Sequence, residues 1–136
     1  MTVYIKDGIS DKLAINFPDI SIFDEAIQQG LIEPCFFISL VSISTKPDMN
    51  NRYQRNYLMN IKYFPSDTEN GNQEMEGVEE LLYQILEYIT VDGDLVRGFD
   101  MSAEKVDGVL VFTVRYPVRV YMPRDKPIMK EVKINA

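Results

Sequence analysis

The single cysteine of the chain, Cys35, sits in "LIEPCFFISL", and no histidine occurs anywhere in the 136 residues. A thiol attacks as its thiolate, which needs a base or a cationic neighbour to form near neutral pH. Without histidine, the usual proton shuttle and the usual orienting partner of a cysteine are both missing. Cys35 also follows a proline at the mouth of an apolar run, surroundings that raise a thiol pKa. Residue types and spacing therefore favour a core residue over a nucleophile. The carboxylates offer little more. "DGD" at 92–94 lacks the glutamate and the spacing of a calcium loop and reads as a turn. Asp100, Glu104 and Asp107 are spread along a strand and its turn, where a wet face accounts for them. "ENGN", "VDGD" and "VDGV" each hold one glycine, which is no phosphate cradle. In "NRYQRNY" the aromatics and the cations fall largely on opposite strand faces, whereas base stacking needs both on one open face. No catalytic residue, cofactor site or metal site emerges.

The totals fit that reading. Hydrophobic residues make up 46% and charged residues 26%, ordinary globular composition for a chain able to bury about two-thirds of its unfolded surface. The longest run free of charge and proline, "CFFISLVSIST", is far short of the roughly 20 residues of a spanning helix. No basic region followed by an apolar stretch opens the chain, and one cysteine makes no internal disulfide. The expectation is a soluble, intracellular protein without a membrane partner. A formal charge of −7 argues against general nucleic-acid affinity. Its distribution is uneven: residues 1–65 carry −1, residues 66–96 carry −9 with no base at all, and residues 97–136 carry +3. Segregated solvated faces explain this, and so do surfaces that attract one another between copies.

Several elements must hold these residues in place. Ile5, Ile9 and Leu13 recur every four residues, predicting a helix over 2–16 with Thr2 as cap and Gly8 as an interior weakness. Pro18 ends it, and a short strand is expected at Ile20–Phe23. "PCFFISLVSIST" is apolar on both faces, Phe36, Ile38 and Leu40 against Cys35, Phe37, Val41 and Ile43, which predicts a central strand covered on both sides. "KPDMNN" is a loop or hairpin tip. In "RYQRNYLMNIKYF" Tyr53, Tyr57, Met59, Ile61 and Tyr63 alternate with polar residues, Leu58 excepted, as on a strand with one wet face. After the polar linker "PSDTENGNQ", Met75, Val78, Leu82, Ile85 and Ile89 predict a helix over 73–89 with glutamates crowding its positive end.

Two Asp-Gly pairs then predict tight hairpins. For Asp107–Gly108 a two-residue loop pairs Val106 with Val109, Ala103 with Phe112, Met101 with Val114 and Phe99 with Tyr116. Asp100 then falls opposite Arg115 and Ser102 opposite Thr113, so that both faces match. The last strand continues its buried face through Val118, Val120 and Met122, and Pro117 within it asks for an edge or a bulge. The order α-β-β-β-α-β-β-β describes an α+β fold, a mostly antiparallel twisted sheet with two helices on one face. Residues 1–122 form that single domain, and 123–136 a basic, proline-punctuated tail.

"EPCFFISL", "RYQRNYLMNIKYFP", the acidic linker, "LLYQILEYITVDG" and "VDGVLVFTVRYPVRV" together resemble, in order over about residues 2–122, the small tail terminator proteins of phages and phage-like elements of Gram-positive bacteria. The resemblance implies a structural role in virion assembly with no catalytic residues to carry over. It implies a ring of identical copies, usually hexameric, that caps the head-proximal end of the tail tube. The partners it implies are the tail tube protein and the head completion or connector protein, met in the host bacterial cytoplasm during assembly and then in the virion tail. A closed ring joins two different patches of each copy. The expected interface sets the acidic residues Glu74, Glu76, Glu79 and Glu80 against basic Arg115, Arg119 and Arg124 of the next copy. Two alternatives stay open: another head–tail joining or minor tail component, and, from a different class, a small-ligand or nucleic-acid binding module.

Overall fold

The computed structural model describes residues 4–23, 33–66 and 69–121. Helix α1 (Ile5–Asn16) is followed by β1 (Ser21–Phe23), β2 (Cys35–Pro47), β3 (Arg52–Phe64), α2 (Gly71–Ile85), β4 (Tyr88–Val91), β5 (Asp94–Arg97), β6 (Phe99–Val106) and β7 (Val109–Tyr121). A five-stranded sheet runs β1-β2-β3-β7-β6, and β4 with β5 forms a small separate hairpin. All pairs are antiparallel except β1 with β2. This is the α+β arrangement expected from the sequence. Thr2, Met122, Arg124 and the 123–136 tail lie outside the described residues.

One core lies between the helices and one sheet face. Ile9 and Leu13 of α1, Leu82 of α2, Phe36 and Ile38 of β2, Ile61 of β3 and Leu110, Phe112, Val114 and Tyr116 of β7 are all fully buried in it. Burying a side chain of this size is worth about 1.5–3 kcal/mol, so Ile5, Ile9 and Leu13 together outweigh the ~1 kcal/mol propensity cost of Gly8. Gly8 is there for space: a Cβ would stand 2.9 Å from the carbonyl oxygen of Thr90 and 3.2 Å from Cδ1 of Ile89. The helix needs a smooth point to lie on β4.

Three details depart from the sequence reading. Helix α2 ends at Ile85, four residues early, and Ile89 reaches the core from β4 instead. The phenol of Tyr116 donates to the carbonyl of Leu86 at 2.6 Å, and the N–H of Gly98 donates to Glu87 at 2.6 Å. These bonds turn the chain out of the helix, and Asp92–Gly93, both at positive φ, folds it back as a hairpin. The Asp107–Gly108 hairpin keeps the expected register from Val106↔Val109 to Ser102↔Thr113, then slips, so that Phe99 faces Arg115. Asp100 takes up the slip at φ 55° and still reaches Arg115 at 2.8 Å. The third departure is β2. Only its first residues are covered, and Leu40, Val41 and Ile43 are 40%, 50% and 49% exposed. The helices cover one half of the long sheet, and β1 pairs with β2 only from Cys35 to Phe37. Pro117 fits its place, because the β6 ladder ends at Arg115 and leaves that flank of β7 without a ladder bond to lose.

Candidate assembly surface

Cys35 is fully buried, and burial first, then the negative charge of Glu33, pushes its thiol pKa up. A thiol held protonated in a packed wall is a poor nucleophile. The tyrosines follow the same rule. Tyr116 is raised by burial, and Tyr63 by burial and then by its hydrogen bond to Glu74. Glu74 also accepts from the Ser66 N–H at 2.8 Å and the Ser66 hydroxyl at 3.0 Å. That carboxylate ties the end of β3 to the start of α2. A depression of about 370 Å³ is lined by Phe64, Pro65, Met75 and Val109 together with Glu33, Glu69 and Asp107. Its polar lining is these three carboxylates and the Asn72 amide. Among the described residues no group of three or more carboxylates or thiols is placed to hold a metal, and no helix is long and apolar enough to cross a membrane.

The charges sort by layer instead. Glu76, Glu79 and Glu80 ride on α2, above one face of the sheet. Arg115 and Arg119 occupy odd positions of β7, whose even positions fill the core, so they point from the opposite face. Lys46, Arg52 and Lys62 share that face through the pairings Lys46↔Gln54, Gln54↔Arg119, Arg52↔Tyr121 and Lys62↔Val111. The α2 acids and these sheet-face cations thus lie on opposite sides of the domain, out of reach of one another within a chain. Some of the expected interface residues also have internal partners. Arg115 binds Asp100 and donates to Asn56 at 2.8 Å. Glu76 approaches Lys105 at 3.5 Å, and Arg119 approaches Asp48 at 3.9 Å, both exposed and therefore weak. Glu80 is exposed and Glu79 half-buried beside Tyr83, whose phenol pKa is raised by burial and then by these two glutamates.

Two features escaped the sequence reading. Every residue from Leu40 to Asn50 is exposed, so the tip of the β2–β3 hairpin stands out from the covered half of the sheet. At the far edge, Arg97 stacks over Tyr88 at 5.9 Å and over Phe99 at 5.3 Å, and Arg115 over Phe99 at 5.3 Å. Alternation alone marks Leu40 and Ile43 as inward, and only the position of the helices shows that the described residues leave them 40% and 49% exposed.

The result is a small α+β domain with a packed thiol, α2 acids and β7 cations in separate layers, and a half-covered sheet. The phage tail terminator protein family matches residues 4–128, and the chain belongs to that family. It is a structural protein family of the phage tail, which makes this chain a phage tail component. No curated protein matches the chain in sequence. One solved structure covers 88% of this chain and 92% of its own at 11% identity and a TM-score of 0.39, too distant a likeness to add to the reading.

Proposed function

We propose that the protein is a ring-forming tail terminator: copies close on the head-proximal end of the tail tube, stop its growth and present a surface to the head completion protein. Assembly takes place in the host cytoplasm, and the ring stays in the virion tail. Family membership supports the tail role. The observation that carries self-association is the division of charge between layers. Glu76, Glu79 and Glu80 on α2 and Arg119 on the open sheet face cannot neutralise one another within one chain. Set between neighbouring copies they become complementary, a heterologous contact that closes into a ring. Glu74 and Arg115 contribute less there because each holds an internal bond. Arg124, outside the described residues, is a further candidate cation. Such pairs speed encounter and fix register, and buried apolar contacts supply most of the tightness.

The test is to add the purified protein to polymerising tail tube protein and measure tube lengths by electron microscopy. The expected result is shorter tubes with a density cap at one end. Unchanged length distributions at saturating protein would refute the proposal.

A further inference from the structure

The two open edges of the five-stranded sheet differ in a way that suits them to each other. Beyond Phe37, no strand pairs with the outer flank of β2 among the described residues. That flank runs "ISLVSIST" from Ile38 to Thr45, with neither a charge nor a proline until Lys46 and Pro47. Edge strands of folded proteins are normally blunted by charge, proline or brevity, because an open row of N–H and C=O groups recruits other strands. The single device here is the irregularity between Leu40 and Ser42. An unguarded β-branched edge with Leu40, Val41 and Ile43 exposed is a place kept for a partner strand.

Strand β6 is the other edge, and it is guarded by Asp100, Glu104 and Lys105, with Asp107 in the following turn. Its charge is net negative, whereas the β2 edge carries only Lys46. We infer that the β2 edge of one copy, from Ile38 to Pro47, accepts β6 of a second copy as an added antiparallel strand. This inference rests on the ring reading and names a different contact from the α2–Arg119 one, since a continuous sheet turns the helices of both copies to one side and Arg119 of both to the other. The directions agree: β2 and β7 run one way and β3 and β6 the other, so a copy added in the same orientation sets β6 antiparallel to β2. Inward residues then meet inward residues, Leu40 and Ile43 with Met101 and Ala103. Glu104 comes to the side that bears Lys46. The edges are also offset. β6 flanks Val109–Arg115, level with the covered half of the sheet, while the free flank of β2 extends past it. Each added copy is therefore staggered along the strands, and stagger with tilt is what lets a continuous sheet close.

Two double variants test this at exposed positions. V41E/I43E places acid on the β2 edge against the acidic β6, and S102E/V106E puts two carboxylates on β6 where the uncharged β2 flank would take them out of water. By native mass spectrometry the wild type is expected to form rings and each variant alone to stay monomeric. Their equimolar mixture has one sound junction and is expected to stop at heterodimers, which also certifies that both variants fold. Dimers of S102E/V106E by itself would mean that β2 pairs with β2 and would overturn the inference. Rings from either variant would overturn it too, while leaving the ring reading intact. A wild type that stays monomeric when concentrated would sink both. A second measurement needs no variant. Amide exchange at 38–47 and at 99–106 is expected to slow as wild-type concentration rises, and rates independent of concentration would overturn the pairing.

Discussion

Replacing Gly8 with alanine separates two effects that a helical glycine combines. Alanine improves helix propensity by about 1 kcal/mol wherever the helix is open to solvent. Gly77, in the interior of α2, is such a place, since nothing lies within 4 Å of a Cβ built there. At Gly8 the same methyl meets the Thr90 carbonyl oxygen at 2.9 Å and Ile89 at 3.2 and 3.4 Å. A carbon and a carbonyl oxygen sit comfortably at about 3.3–3.6 Å, so α1 must lift from β4 by about half an ångström. Overpacking of this kind costs about 1–3 kcal/mol. Propensity and unfolded-state entropy are shared by both substitutions, so the difference between them isolates the packing cost. Urea denaturation at low protein concentration, with one m-value for all variants, measures it. G77A is expected to lie up to about 1 kcal/mol above wild type, and G8A about 1–3 kcal/mol below G77A. Adding I89V to G8A removes the Cδ1 contact but leaves Cβ and the backbone oxygen, so measured against I89V alone only a minor part of the loss should return. G8A as stable as G77A would refute the account of why α1 carries a glycine.

Three other expectations are more compact. Y116F leaves the Leu86 carbonyl without its buried donor and should cost about 1–3 kcal/mol. Because burial raises the Tyr116 pKa, the unfolded chain releases its phenolic proton first. Stability is therefore whole below about pH 10 and falls as pH rises beyond it, and Y116F should flatten that decline in urea midpoints. A variant with the wild-type alkaline slope would contradict this sign. G108A must hold φ near 76° with open space around its methyl, so it should lose about 1–2 kcal/mol through the backbone alone, and an unchanged midpoint would tell against the turn geometry. R119E breaks only a long, exposed contact to Asp48, so the monomer's melting temperature should hold while oligomers weaken at low salt. Light scattering unaffected across a salt series would remove Arg119 from the interface.

Local chemistry was enough for much of the fold. Asp-Gly at 92–93 and at 107–108 announces its turns because few residues tolerate positive φ. The stripe Ile5, Ile9, Leu13 and the alternation from Leu110 to Tyr116 mark their buried faces because the periods of helix and strand differ. The absence of histidine and the apolar setting of Cys35 were legible for the same reason. What the chain could not declare is coverage. Leu40, Val41 and Ile43 have the same types as Phe36 and Ile38, yet the two groups are separated by where α1 begins, beside Leu40. The end of α2 is likewise set from outside, by Tyr116 and Gly98 drawing on the Leu86 and Glu87 carbonyls. The Asp100 slip depends on which strand lies beside it. Sequence thus determined most of the elements, their turns and the burial of Cys35, since those follow from neighbours along the chain. Tertiary structure alone decided which apolar residues stay open and that the α2 acids and the β7 cations face opposite ways, since both depend on residues distant in sequence.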